Sequence, residues 1–513
     1  MPMAPIADAG KQTYGQILKS SALIGGSSVI SIAIGIVRTK AMAVLLGPAG
    51  IGLMGLYNSI VDLTQNIAGM GINSSGVRQI AEAVGSGDTK RVARTATVLR
   101  RTAFFFGLLG AVVLVIFCRQ VSKLTFDTES YAVPVALLSV AVLLRSVSLG
   151  QEALIHGLRR ISDLAKLGVL GVLYGTFISI LLVYWFREDG LVPSLIFSAA
   201  LMLATSWWFR RKIQIETTPV TLADVRHEAG ALLKLGFAFM ASGILTIGAA
   251  YAIRIIVLRN VSIEAAGLYQ SAYALGGLYV GFILQAMGSD FYPRLTAIAK
   301  NHAECNRLVN EQAEVSLLLA GPGVLATLTF APLVIMLFYT SKFAFAVEPL
   351  RWICLGMALR VIAWPMGFIV LAKGANWIFL WTEVAASLVH VGIAFFLIGH
   401  FGLPAAGMAF FGLYVWHSLL IYVIVRRLTG FRWSATNKRT GMLYLPLIGI
   451  VFCGFFVLPF WVATALGALA AVASSIYSLR ALVRLVPLER MPRIMRPLLA
   501  RFFHPRDNSA SGR

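Results

Sequence analysis

Apolar stretches about twenty residues long recur along almost the whole chain, and each can cross the hydrocarbon core of a bilayer as a helix. Only 13% of the 513 residues are charged, so the charged shell of a soluble protein is missing. The sequence therefore predicts an all-α polytopic membrane protein with about fourteen transmembrane helices. The predicted spans lie near 21–46, 51–80, 102–118, 132–157, 165–186, 191–209, 232–258, 267–297, 315–339, 347–372, 376–399, 403–425, 442–459 and 461–483.

The net charge of +22 is distributed with a strong bias between the two sides of these spans. Of the 44 lysines and arginines, 33 lie in alternate gaps, at the span edges beside them or in the two termini, six lie in or beside the intervening gaps, and five lie deep inside spans. Loops rich in Lys and Arg remain cytoplasmic. We therefore expect both termini in the cytoplasm and assign the charge to topology, with no nucleic-acid partner.

The chain repeats weakly at a separation of 215–217 residues, because Gly52-Leu53-Met54 matches Gly267-Leu268-Tyr269. Six spans separate equivalent helices, so the two halves have the same orientation, as in transporters built from parallel repeats. The repeat predicts two six-helix lobes, a C-terminal helix pair and a basic cytoplasmic tail. These four parts comprise residues 1–215, 216–430, 431–483 and 484–513.

The rarest residues for their location obey the same repeat: Arg38 falls on Arg254, and Arg145 falls on Arg360. An arginine at the centre of a membrane helix costs about 2.5–3.5 kcal/mol on insertion scales. We therefore predict that these four side chains line a water-filled cationic cavity. Lys40 points away from Arg38 on the same helix and is expected to extend toward the headgroups.

Polar side chains form a stripe at helical spacing along the second span, and its repeat partner carries a similar stripe. Interhelical hydrogen bonds would explain any single one of these residues, but a continuous stripe favours the lining of a cavity. The predicted lining residues are Asn58, Asp62, Gln65, Asn66, Asn73, Gln270 and Gln285.

Three ionisable residues within spans are candidates for ion coupling. Asp62 either pairs with Arg38 or reports whether the site is loaded, and Glu383 and His390 share one face of the eleventh span. Carboxylate and imidazole groups at membrane depth suit proton coupling, although a buried histidine is often only a hydrogen-bonded core residue. The surplus of positive charge predicts an anionic cargo, because guanidinium groups bind phosphate oxygens bidentately. The four cysteines have no metal or redox spacing, so we expect neither a metal nor a cofactor.

Two segments resemble O-antigen translocases of the Wzx type, in the multidrug/oligosaccharidyl-lipid/polysaccharide (MOP) exporter superfamily. They are GGSSVISIAIGIVRTKAMAVLLGPAGIGLMGLYNSIVDLTQNIAGMGINSSGVRQIAE at 25–82 and QEALIHGLRR at 151–160. The resemblance places Arg38 at the first-helix arginine that lines a cationic cavity in the related lipid II flippases. Thr39 stands where that family has an acidic residue.

This resemblance implies a flippase, and not an enzyme, that moves an undecaprenyl-pyrophosphate-linked oligosaccharide across the bacterial inner membrane by alternating access. An O-antigen or related polysaccharide repeat unit is the implied cargo, for lipopolysaccharide biosynthesis. Membrane lipids are the other expected partners, and contact with the polysaccharide polymerase machinery is a further expectation. Two alternatives stay open: a multidrug or cation antiporter of the same superfamily, and a membrane-embedded glycan polymerase or ligase. The sequence identifies neither the glycan nor the coupling ion.

Overall fold

A computed structural model describes residues 6–213, 222–286 and 291–485. Within these ranges every regular element is helical, which confirms the predicted all-α class. Seventeen α-helices follow one another, with short 3-10 helices at Arg187–Gly190 and Ser341–Ala346. The helices are α1 Ile6–Gly69, α2 Ile72–Gly85, α3 Thr89–Ile116, α4 Cys118–Phe126, α5 Ala132–Gly157, α6 Ile161–Phe186, α7 Leu191–Arg211, α8 Leu222–Asn260, α9 Ile263–Ala286, α10 Tyr292–Ala297, α11 His302–Thr329, α12 Ala331–Phe338, α13 Val347–Ala372, α14 Asn376–Phe401, α15 Pro404–Thr429, α16 Ala435–Val457 and α17 Phe460–Leu485.

The protein is a multi-pass membrane protein. Ten helical stretches in the described residues are long and apolar enough to cross a bilayer, or eleven if the pair α11 and α12 counts as one broken span. Two of these stretches are far longer than one crossing: Gly26–Gly69 has 44 residues, and Ile161–Arg211 has 51. At 1.5 Å per residue the shorter of the two extends about 66 Å, roughly twice the hydrocarbon thickness.

Two backbone breaks interrupt the N-terminal helices. Inside α1, Gly47 has a φ of 68° and is followed by Pro48, which lacks the N–H that would continue the helix. A second break follows α1, where Met70 and Gly71 both have positive φ. The prediction of one continuous span over 51–80 is therefore wrong, because α1 ends at Gly69 and α2 begins at Ile72.

Other predicted boundaries also change. The predicted span 315–339 is not one straight helix. Helix α11 ends at Thr329, and α12 follows it at an angle of 82°. The predicted span 267–297 becomes α9 and α10, and residues 287–290 between them lie outside the described residues. Most of the predicted tail, residues 486–513, also lies outside them.

The first of two compact units comprises Met1–Gln270 together with Leu337–Phe343. It therefore includes α8, which the sequence repeat assigns to the second half. Helix α8 lies against the break between α1 and α2, where a Cβ on Gly236 would overlap the backbone of Met70 and Gly71. At its other end Arg259 donates to the main-chain carbonyl of Lys123 over 2.6 Å. The unit boundary at Gln270 differs from the lobe boundary at 215/216 that the repeat predicts.

The second unit comprises Ser271–Met336 and the chain from Ala344 onward. Helices α16 and α17, the predicted C-terminal pair, pack against α11 in this unit. Tyr444 of α16 fills the space beside Gly321 of α11, and its hydroxyl hydrogen-bonds the Ser478 hydroxyl of α17 over 2.6 Å. Because the Tyr444 side chain is fully buried, this contact fixes the pair to the rest of the unit.

Candidate functional site

The polar stripe predicted on the second span lies on one face of α1. Asp62, Gln65, Asn66 and Gly69 fall within an arc of about 100° at the helical rotation of 100° per residue. The break at Met70 and Gly71 then redirects the chain. All four residues line one cavity of about 330 Å³ in the first unit, together with Asn73 beyond the break.

Five helices surround this cavity, which we call the N-unit cavity. Helix α5 contributes Arg145 and Gly150, helix α3 contributes Leu99, and helix α8 contributes Phe239 and Ile247. The cavity is thus polar along α1 and α2 and partly apolar on the other walls. The full lining is Asp62, Gln65, Asn66, Gly69, Gly71, Ile72, Asn73, Ser74, Leu99, Ala103, Arg145, Ser146, Leu149, Gly150, Phe239 and Ile247.

An ion pair crosses the N-unit cavity between α1 and α5. The Arg145 Nη1 donates to Asp62 Oδ1 over 2.9 Å, and the two side chains are 39% and 43% exposed. A pair this accessible contributes little to stability, at most about 1 kcal/mol. Its guanidinium and carboxylate are instead both available to a molecule in the cavity. Asp62 therefore pairs with Arg145, and the alternative pairing with Arg38 does not occur in this structure.

Three side-chain amides on the polar wall have an atom that is buried and lacks a hydrogen-bond partner among the described residues. These atoms are Gln65 Nε2, Asn66 Oδ1 and Asn73 Oδ1. The Asn66 amide lies against Gly243 of α8, where any Cβ would overlap it. Asn58, by contrast, donates its amide to the Met54 carbonyl over 2.8 Å and is not part of the lining.

Arg254 of α8 is hydrogen-bonded to neutral groups in the first unit and does not line the N-unit cavity. Its Nε donates to Gln270 Oε1 over 2.7 Å, and its Nη1 donates to the Ser59 hydroxyl over 2.9 Å. These contacts orient the guanidinium without neutralising its charge. The predicted lining residue Gln270 is thus a partner of Arg254, whereas Gln285 is exposed on α9.

The two cations on the first half of α1 have different surroundings. Arg38 is half-buried, and its Nε has no hydrogen-bond partner within the part of the chain that the structure describes. It does not line the N-unit cavity. Lys40, expected to extend toward the headgroups, donates to the main-chain carbonyl of Tyr339 in the same unit. No local pattern in the sequence indicates that contact, because the two positions are 299 residues apart.

Arg360 of α13 lies in a second cluster, within the second unit. Its guanidinium carbon is 4.9 Å from the centre of the Trp364 ring and 5.7 Å from that of Tyr414. It hydrogen-bonds Tyr273 and interacts electrostatically with Glu383, which is half-buried. Trp364 and Tyr414 were not predicted, although the spacing of four residues between Arg360 and Trp364 on one helix was a usable signal.

Two histidines lie in the same unit. His390 is buried, packs edge-on against Phe410 with 5.8 Å between ring centres, and leaves Nε2 without a partner among the described residues. His417 packs edge-on against Tyr414, with 6.0 Å between the ring centres, and Tyr414 in turn lies beside Arg360. The structure thus brings Arg360, Glu383 and His417 together. Within the described residues no group of three or more His, Cys, Asp or Glu side chains could hold a metal ion.

A family model described as polysaccharide biosynthesis protein matches residues 41–348, more than half of the chain. The chain belongs to the polysaccharide biosynthesis protein family. Among its relatives are the lipid III flippases of Escherichia coli (strain K12) and Shigella flexneri. Each is 24% identical over 421 residues, covering 78% of this chain and 95% of the relative. The resemblance to Wzx-type translocases is thereby confirmed at the level of the family.

Solved structures of the MOP superfamily share the fold. An inward-facing multidrug resistance MATE family transporter has a TM-score of 0.64 and 15% identity, covering 80% of this chain and 96% of that one. The lipid II flippase MurJ in an inward closed conformation has a TM-score of 0.63 and 14% identity, covering 90% of this chain and 99% of that one. The matched proteins are transporters and flippases, so the prediction that the chain is not an enzyme is confirmed.

Proposed function

We propose that this protein is a flippase that moves an undecaprenyl-pyrophosphate-linked oligosaccharide from the cytoplasmic to the periplasmic leaflet of the bacterial inner membrane. An O-antigen or related repeat unit is the proposed cargo. Membership of a polysaccharide biosynthesis family and the similarity to lipid III flippases support this assignment. Alternating access of two lobes is the proposed mechanism, as in other transporters built from parallel repeats.

The proposed topology has fourteen crossings with both termini in the cytoplasm. Gly26–Gly69 and Ile161–Arg211 would each cross twice, because the first is broken at Gly47 and the second contains the 3-10 helix Arg187–Gly190. Helix α9 has 24 residues and would supply a further crossing. The bias of Lys and Arg toward alternate gaps supports this arrangement.

The observation that carries the proposal is the accessible pair of Arg145 and Asp62 in the N-unit cavity. A guanidinium offers two parallel N–H donors to a phosphate, and a doubly charged diphosphate competes strongly with a single carboxylate for them. In this scheme Asp62 holds Arg145 in position while the site is empty, and the diphosphate takes over the guanidinium when the lipid binds. Asp62 would then be released from its ion pair.

The other three arginines complete the proposed cationic set. The hydrogen-bond partners of Arg254, Gln270 and Ser59, are neutral and provide no counter-charge. Arg38 and Arg360 each have a buried Nε without a partner among the described residues. We assign these three a role in attracting the diphosphate. The prenyl chain would remain in lipid, so the protein need not enclose it.

Coupling to an ion gradient is the second part of the proposal. Asp62 is the first candidate, because substrate binding would free its carboxylate to take up a cation or a proton. Glu383 and His390 of α14 are the others, since the charge on Glu383 would alter the field at Arg360. We found no nucleotide-binding motif of the P-loop type in the sequence.

The test is transport in reconstituted vesicles that contain a short-chain polyprenyl diphosphate carrying one labelled N-acetylglucosamine. Arg145→Gln should lower the initial rate at least tenfold, because a charge-assisted contact contributes about 1.5–3 kcal/mol. Arg78→Gln is the matched control: this arginine is 64% exposed on α2 and pairs only with the nearby Glu82 in the described part of the chain, so its rate should be unchanged.

The same vesicles test the coupling and the rival function. Collapsing both the pH and the Na⁺ gradient should slow transport by the unaltered protein. Unchanged rates without any gradient would remove the coupling proposal while leaving the flippase intact. Equal rates for Arg145→Gln and the unaltered protein, or extrusion of ethidium without movement of the lipid, would instead favour the multidrug or cation antiporter.

A further inference from the structure

The unpartnered amides of the N-unit cavity have a chemistry that the diphosphate does not explain. Gln65 has a buried N–H donor without a partner among the described residues, whereas Asn66 and Asn73 each have a buried carbonyl acceptor without one. A fully ionised phosphate only accepts hydrogen bonds, so the two carbonyls would have no partner on it. Because burying an unpaired polar group is costly, these atoms indicate a ligand group that both donates and accepts.

The surroundings of the amides narrow the class of ligand. Gln65 is only 7% exposed, so its amide is held in the wall of the cavity. Phe239 of α8 also lines this cavity, and 47% of its surface is exposed. Amides and an aromatic ring in one cavity lining suit a sugar, whose vicinal hydroxyls donate and accept while its apolar C–H face packs on the ring.

The size and charge of the cavity agree with one sugar residue next to a diphosphate. A volume of about 330 Å³ lies at the low end of small-molecule sites. Arg145 lies in the same lining as the amides, so a diphosphate bound to it would leave the first sugar beside them. An organic cation would suit the carbonyls and the ring, but it would be repelled by Arg145 and would leave the Gln65 N–H unmatched.

We infer that Gln65, Asn66, Asn73 and Phe239 form a binding site for the first sugar of the lipid-linked glycan. This inference rests on the proposed flippase function. Helix α8 is part of the site, because the Asn66 amide packs against Gly243. A Cβ at position 243 would overlap this amide. The absence of a Cβ at Gly243 therefore allows this position of the amide, and residue 243 itself need not touch the sugar.

The experiment measures binding of defined lipids to the purified full-length protein in nanodiscs. One probe is a polyprenyl diphosphate without sugar. The others carry a single N-acetylglucosamine, N-acetylgalactosamine, glucose or galactose. The unaltered protein should bind at least one glycosylated lipid about tenfold more tightly than the bare diphosphate, as expected for two or three hydrogen bonds and a ring contact.

Variants separate the sugar site from the diphosphate site. Gln65→Leu, Asn66→Leu and Phe239→Ala should each remove most of this tenfold preference and leave the affinity for the bare diphosphate unchanged. Gly243→Ala should do the same by displacing the Asn66 amide. Arg145→Gln should weaken binding of every lipid by the same factor. Phe237→Ala is the matched control, because Phe237 is also exposed on α8 but does not line the cavity.

The outcomes distinguish failure of the inference from failure of the proposed function. Equal affinity of the unaltered protein for the bare and all four glycosylated lipids would overturn the sugar site and leave the flippase in place. The same holds if the amide variants weaken binding of bare and glycosylated lipids equally. Failure of the unaltered protein to bind any diphosphate lipid would overturn both, and tight binding of tetraphenylphosphonium instead would point to the antiporter.

Discussion

Arg145 and Arg360 occupy equivalent positions in the sequence repeat, yet their surroundings differ. Arg145 faces an open cavity and pairs with a carboxylate, Asp62. Arg360 lies over Trp364 and beside Tyr414, with a hydroxyl partner in Tyr273. The two units thus stabilise a membrane arginine by different means, one with a counter-charge and the other with aromatic rings.

The repeat itself explains this difference. The positions that correspond to Asp62 in the second half are Gly277 to Tyr279, which carry no acid. The acid of the second unit, Glu383, comes from α14, and its counterparts in the first half are Lys166 to Gly168. Of these two arginines, only Arg145 has a carboxylate within ion-pair distance in the described part of the chain. Arg360 can respond to a ligand only by changing its contacts with neutral rings or with Glu383.

The largest expected effect comes from removing the counter-charge in the first unit. Asp62→Asn would leave Arg145 without its carboxylate, so the diphosphate would bind without competition. We expect about tenfold tighter binding of the bare polyprenyl diphosphate and a rate of transport about tenfold lower, because release becomes slow. Binding in nanodiscs and transport in vesicles measure the two quantities. Weaker binding by Asp62→Asn would show that the carboxylate serves the ligand and does not compete with it.

A smaller effect is expected from placing an acid in the second unit. Gly277 lies one helical turn beyond Tyr273, and a Cβ there would meet only the Met357 side chain at 3.6 Å. Gly277→Asp should therefore be tolerated and should pair with Arg360, lowering transport about fivefold by neutralising that cation.

Two controls accompany this variant. Gly281→Asp, one turn farther along in open space, and Gly277→Ala should both keep the normal rate. If Gly277→Asp transports as well as these two, the charge of Arg360 does not contribute to function, and the two arginines differ in role as well as in surroundings.

The smallest effect concerns the stability of the second unit. Trp364→Leu removes the ring beneath Arg360, and a cation–π contact contributes about 0.5–2 kcal/mol. The midpoint of heat denaturation should fall by about 2–4 °C, whereas Trp364→Phe should retain most of the stability. Trp381→Leu, at a tryptophan that is 65% exposed, should leave the midpoint unchanged. An equal loss for Trp364→Leu and Trp381→Leu would mean that the ring does not stabilise Arg360.

Local patterns in the sequence were sufficient to predict some of these features and not others. The apolar runs predict the helical membrane class, and the spacing of Asp62, Gln65 and Asn66 predicts one polar face, because both depend on neighbours within a few turns. The partner of Asp62 depends on how α5 packs on α1, which no local pattern contains. The helix break at Met70 is likewise hidden, since a methionine gives no warning of a positive φ.

Contacts between the two halves of the sequence repeat could not be predicted from the sequence either. The association of α8 with the first unit depends on glycines that meet backbone, such as Gly236 against Met70. Glycine is abundant in this chain, with 47 residues, so composition does not identify the few that make close approaches. For the same reason, the packing of the Asn66 amide against Gly243 could not be predicted from the sequence.

The separation of Asp62 and Arg145 along the chain has a consequence for biosynthesis. The two residues are 83 positions apart, so the helix that carries the acid leaves the ribosome before its partner has been made. An unpaired aspartate near the centre of a new helix disfavours insertion by about 2.5–3.5 kcal/mol. Pairing with Arg145 can offset this cost only after α5 has been made. The ion pair of the N-unit cavity is therefore among the later contacts to form during synthesis of this half of the protein.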